Sequence, residues 1–111
     1  MKTLVYLACP YSDKKASVRL SRFNSVNKIA AQLMLQGMHI FSPISHTHPI
    51  AEAGGLPKGW DFWEGYDRAI LATCAKMIVL QLDGWDISKG VQAEITIATE
   101  LEIPIEYLVQ I

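Results

Sequence analysis

Residues 3–12 read TLVYLACPYS, and this stretch decides the fold. Thr3 to Ala8 is an unbroken apolar run rich in strand formers, which suits a parallel strand buried on both faces better than a half-exposed edge strand. Cys9 and Pro10 end it, and polar residues follow. A second run of the same kind, KMIVLQL at residues 76–82, predicts another buried strand. Met38 to Phe41 reads as a short strand, and Ile103 to Val109, opened by Pro104, as a last one.

The connecting segments carry helical spacing. From about Ala16, the positions Ala16, Leu20, Phe23, Ala30 and Met34 recur at steps compatible with one helical face, with Val26 and Leu33 widening the stripe and Gly37 as the stop. Trp60 to about Ala75 resumes the pattern through Phe62, Tyr66, Ala69, Ile70 and Thr73. Val91, Ile95, Ala98 and Leu101 mark a final helix. Ser42 to Lys58, with Pro43, Pro49, Gly54, Gly55 and Pro57, reads as a long loop and a candidate pocket wall. The order of strands and helices predicts a parallel sheet of four or five strands with right-handed crossovers and helices on both faces, a flavodoxin-like α/β sandwich.

The 111 residues are enough for a single domain, residues 1–111, and half of them are hydrophobic, so a disordered chain is excluded. Ten basic against eleven acidic residues give a net charge of −1. That balance supplies no basic field for nucleic acid or an anionic membrane. Cys9 and Cys74 lack metal or disulfide spacing, which fits buried thiols in a reducing cytoplasm, with no metal and no cofactor. The N-terminal apolar run is too short for a signal sequence or a membrane span.

In a parallel sheet, ligands bind beyond the carboxyl ends of the strands, so the loops to search are Cys9 to Lys15, Ser42 to Lys58 and Asp83 to Gly90. The last leads into DGWDISKGVQAE, residues 83–94. Ser88 suits a helix cap, and with Gly90 it offers either a plain cap or an anion site at the first turn. Glu94 falls on the stripe of Val91 and Ala98 that should face the sheet. A carboxylate there is either a nucleophile for a sugar carbon or one half of an ion pair at the rim. Burial would raise its pKa and the helix N-terminus would lower it. A glycosidic bond also needs an acid for the leaving group, for which Asp67 and Asp61 are candidates, Asp67 lying close to the border of its helix's apolar stripe. Tyr6, within the first strand, must find a hydroxyl partner, either an active carboxylate or the backbone.

Ser12, Arg19 and Arg22 form a second polar group able to clamp a phosphate, with Arg19 favoured because it follows the loop more closely. His46 and His48 alternate as metal ligands do in strands, but no third ligand joins them. A neutral imidazole there can hydrogen-bond a base edge, with Trp60 or Phe62 as a stacking face.

The segments VYLACPYS (5–12), FSPISHTHP (41–49) and GW-x-x-S-x-G-V-x-x-E (84–94) together resemble the nucleoside 2-deoxyribosyltransferase superfamily over nearly the whole chain. The resemblance implies that Glu94 is the nucleophile, that Tyr6 positions it, and that Asp67 lies near sugar and base. Six residues before the nucleophile, nucleoside-transferring members carry an aspartate for the 5′-hydroxyl, and nucleotide N-glycosidases a serine for the 5′-phosphate. Here it is Ser88, where a hydroxyl can donate to phosphate and a carboxylate would repel it. CPYSDKK, residues 9–15, stands where the nucleotide hydrolases carry a glycine-rich phosphate loop. The expectation is an N-glycosidase acting on a nucleoside 5′-monophosphate through Glu94, with two carboxyls about 5 Å apart. The alternatives are a base-exchanging deoxyribosyltransferase and a nucleotide-binding sensor without turnover. Relatives of this kind are homo-oligomers, so at least a dimer is expected.

Overall fold

The computed structural model describes residues 1–57 and 59–109. Its elements are β1 (Leu4–Ala8), α1 (Ala16–Leu35), β2 (His39–Phe41), α2 (Pro43–Gly54), α3 (Trp60–Leu71), β3 (Cys74–Leu80), α4 (Lys89–Glu100) and β4 (Ile105–Leu108). The strands form one sheet in the order β2-β1-β3-β4. Every pairing is parallel, with Tyr6 opposite Phe41 on one side and Met77 on the other, and Val79 opposite Tyr107. The α/β sandwich is therefore flavodoxin-like, as the apolar runs predict.

Side chains alternate across a strand, and β1 splits them cleanly. Val5, Leu7 and Cys9 pack with Val26, Ile29, Ala30 and Leu33 of α1 and Ile44 of α2. Tyr6 and Ala8 face the other way, against Leu71 of α3 and Val91, Ile97 and Ala98 of α4. Both central strands, β1 and β3, are thus covered on both faces. Each fully buried aliphatic side chain in these clusters contributes about 1.5–3 kcal/mol.

The expected long loop is largely a helix. Ser42 caps α2, its hydroxyl accepting from the Ser45 amide at 3.3 Å, and Pro43 occupies the first turn, where its missing N–H costs nothing. Gly55 closes the helix in the left-handed region at φ 63°. Pro43, Gly54 and Gly55 thus mark the ends of α2, whereas Pro49 lies inside it, a position that ordinarily breaks a helix. Lys58, the expected end of that loop, lies outside the described residues.

Two helical stripes are also rotated from expectation. On α1 the buried positions are Val26, Ile29, Ala30 and Leu33, whereas Leu20 and Met34 are half exposed. On α3 it is Asp67 and Leu71 that are buried, while Phe62 and Tyr66 face outward. Asp67 is therefore central to its helix's inner face rather than at its border. No helix among the described residues is long and apolar enough to cross a membrane.

Candidate active site

The chain leaves β1 for β2 on one side and later enters β3 on the other. The loops leaving β1 and β3 consequently part, which opens a crevice at their carboxyl ends. A cleft of about 550 Å³ lies there, lined by residues of the 9–13 segment, α1, α2, α3 and the turn into α4.

Three elements bring one polar group to its floor. Tyr6 points from β1 toward the α3/α4 side because of its place in the strand alternation. Glu94 lies on the inner stripe of α4 with Val91, Ile97 and Ala98, and Asp67 on that of α3. The Tyr6 hydroxyl donates to Glu94 Oε2, and the Asp67 carboxyl lies near enough to Glu94 for each to shift the other's ionisation. Apart from the Ser42 cap, Asp67 and Glu94 are the buried polar residues of the described chain. Tyr6 thus meets a carboxyl rather than the backbone, and among the described residues no basic side chain pairs with Glu94.

Burial pushes Glu94 well above the usual carboxylate range, and the charge of Asp67 pushes it further, while the Tyr6 hydrogen bond acts in the opposite direction. The expected lowering by the helix N-terminus does not prevail, because Glu94 lies beyond the first turn of α4, where that effect has decayed. Burial also raises Asp67, to about 6, against hydrogen bonds from Glu94 and Tyr6 that lower it. Tyr6 stays a neutral phenol, raised by burial and then by the two carboxylates. Both carboxyls therefore hold their protons to higher pH than exposed ones do, Glu94 under the added push of Asp67.

At the mouth, Ser88 caps α4, its Oγ accepting from the Val91 amide at 3.2 Å. Ser88 and Gly90 both line the cleft, with Ser12 across from the end of β1. A Cβ at Gly90 would lie 3.9 Å from Trp60 Cε3, which places the half-buried Trp60 ring against the first turn of α4. Trp60 lines the cleft, whereas Phe62 stands exposed outside it. Asp61 lies exposed at the rim.

Two expected residues stand elsewhere. Arg19 is not in the lining; its Nη1 donates to the Asp13 carbonyl at 2.5 Å. Arg22, one turn on, lines the cleft instead, donating to the Ser12 carbonyl at 3.0 Å and the Asp83 carbonyl at 3.1 Å. It bridges the two loops, and its phase with Val26, Ile29 and Leu33 was the available signal. His46 is exposed, beside Phe41 and Tyr66, while His48 lines the cleft. Residues two apart share a face in extended chain and oppose each other on a helix, so the helicity of α2 separates them. Sequence reasoning also missed Tyr11 and Trp63 in the lining. Aromatic type alone does not mark them, because Phe62 and Tyr66 carry the same signal and face outward.

Residues 3–108 match a family described as a domain of unknown function, DUF1937. A search of the curated proteins finds no match.

Proposed function

We propose that this chain, which belongs to the DUF1937 family, is an N-glycosidase that cleaves the base–sugar bond of a nucleoside 5′-monophosphate. The observation that carries the reading is the contact of Tyr6, Glu94 and Asp67 at the floor of a cleft beside the capped N-terminus of α4. A neutral tyrosine and two neighbouring carboxyls with raised pKa values can supply both a nucleophile and an acid, the pair that glycoside chemistry needs.

The proton passes from Glu94 to Asp67, leaving a Glu94 carboxylate held by the Tyr6 hydroxyl. One Glu94 oxygen bonds to C1′ as the C1′–N bond breaks. The electron pair leaves with the base, whose nitrogen takes the proton from Asp67. Water then attacks C1′ and gives a proton to the Asp67 carboxylate, and Glu94 departs as a carboxylate. The Ser88 hydroxyl, the first-turn amides of α4 and the Arg22 guanidinium are the groups suited to the 5′-phosphate. Trp60 offers the base a flat face.

The test is a panel of nucleosides and their 5′-monophosphates incubated with the protein and with Glu94→Gln, read by chromatography for free base. Base released by the unmodified protein alone, and from monophosphates alone, is the expected result. A new nucleotide formed when a second base is added makes the enzyme a transferase. Binding without release makes the chain a sensor and contradicts the reading.

The same reading includes a homo-oligomer, working in the reducing compartment that two free buried cysteines suit. Phe62 and Tyr66 leave an exposed apolar stripe on the outer face of α3, which a second copy of the chain would cover. Sedimentation at micromolar concentration tests this; a monomer contradicts it.

A further inference from the structure

The reaction above leaves one polar pair of the cleft unused. Tyr11, just beyond β1, and His48, on α2, both line the cleft, and both pack on the α1/α2 side of the sheet. Glu94 and Asp67 approach the same cleft from the α3/α4 side. The Tyr11 hydroxyl and His48 Nδ1 are 2.5 Å apart. The imidazole also stacks on Phe23, with ring centroids 4.3 Å apart and planes at 27°. It meets the Tyr11 ring edge-on at 5.5 Å. One hydrogen bond and two ring contacts fix the orientation of the imidazole, as a second shell fixes a ligand. Nδ1 is used, and among the described residues Nε2 has no protein partner.

The Tyr11 phenol keeps its proton, since burial raises its pKa, so its O–H is available to donate to Nδ1. In that arrangement the neutral imidazole carries its hydrogen on Nε2.

We propose that His48 Nε2–H donates a hydrogen bond to an acceptor on the nucleobase, so that His48 is a specificity residue and Tyr11 its positioning residue. The inference rests on the nucleotide reading for the class of ligand, and on Tyr11, His48 and Phe23 for the contact. A single neutral, directional donor matches a ring nitrogen or carbonyl oxygen of a base. A phosphate dianion calls instead for the charge of Arg22. A base without the acceptor would leave this donor unpaired, which is how a polar site rejects a near-isostere. As the C1′–N bond breaks, the electron pair moves onto the base, and the same hydrogen bond strengthens without transferring a proton.

The test uses the Glu94→Gln protein as a binding-competent background, titrated calorimetrically with four common nucleoside 5′-monophosphates and with ribose 5-phosphate. Adding His48→Ala should weaken the tightest monophosphate about threefold to tenfold, the share of one neutral hydrogen bond, and leave ribose 5-phosphate unchanged. His48→Gln, whose amide can donate, should recover part of the loss, and Tyr11→Phe should reproduce the loss for the monophosphate only. Equal weakening of ribose 5-phosphate, or no change in either ligand, overturns the proposal while leaving the nucleotide reading standing. No binding of any of the five to the background protein overturns both.

Discussion

The Tyr6 hydroxyl of β1 donates to the Glu94 carboxyl of α4, across 88 residues of sequence. This bond ties the central strand to the last helix at the floor of the cleft. It also favours the ionised form of Glu94 in a setting where burial and Asp67 both oppose ionisation.

That opposition makes stability fall with pH. Asp67 and Glu94 have folded pKa values above their ordinary 3.8 and 4.5, so the folded chain holds protons that the unfolded chain releases. Their stabilising contribution is complete below about 4. It is lost as pH rises through about 6, the value for Asp67, and further as Glu94 gives up its proton. Glu94→Gln removes the ionisation and should raise the melting temperature at pH 8 by about 5 °C, with less change at pH 4. Thermal denaturation across that range checks the slope.

Asp67→Asn removes the charge that helps hold the Glu94 proton. The Glu94 carboxyl should then titrate at lower pH, read directly by carboxyl carbon NMR. Base release, which loses its acid, should drop by about a hundredfold or more. Tyr6→Phe should move the Glu94 titration the other way, because the hydrogen bond it removes favours the carboxylate.

Ser88 caps α4 and, in the proposed reading, meets the 5′-phosphate, two roles that substitution can separate. Ser88→Ala loses the bond to the Val91 amide and should cost about 1 kcal/mol of stability. Ser88→Asp keeps a cap, and its melting temperature should stay close to that of the unmodified protein. Its carboxylate should weaken 5′-monophosphates much more than nucleosides in calorimetric titrations. Equal weakening of both would remove the phosphate from this end of the cleft.

Gly84 has φ 89°, and a Cβ there would lie 3.1 Å from Arg22 Nη2. Gly84→Ala should cost about 1–2 kcal/mol through backbone strain and displace the guanidinium. Chemical denaturation reads the first effect. Weaker binding of 5′-monophosphates reads the second.

The sheet and Glu94 were legible because each follows from a short, strong pattern. TLVYLA has no charged residue to place outside, and Glu94 interrupts an otherwise apolar helical stripe. α2 was hidden because Pro43, Pro49, Gly54 and Gly55 fall within about one helix length, and one of those prolines starts the helix rather than breaking it. His46 and His48 were not told apart for the same reason, since an extended chain puts them on one face and a helix on opposite ones. Asp67 was placed at a border because Phe62 and Tyr66 were assigned to the core, and their exposure on α3 rotates the helix to put Asp67 at its centre. Arg19 and Arg22 lie one turn apart, but Arg22 is in phase with Val26, Ile29 and Leu33, and it reaches the carbonyls of two loops distant in sequence.

The most direct measurement is the mass of the protein quenched in acid during turnover of a nucleoside 5′-monophosphate, followed by peptide mapping. A glycosyl nucleophile predicts a sugar phosphate bonded to the peptide that contains Glu94, absent from Glu94→Gln. Base release that continues in Glu94→Gln, with no adduct on the unmodified protein, would contradict the central claim.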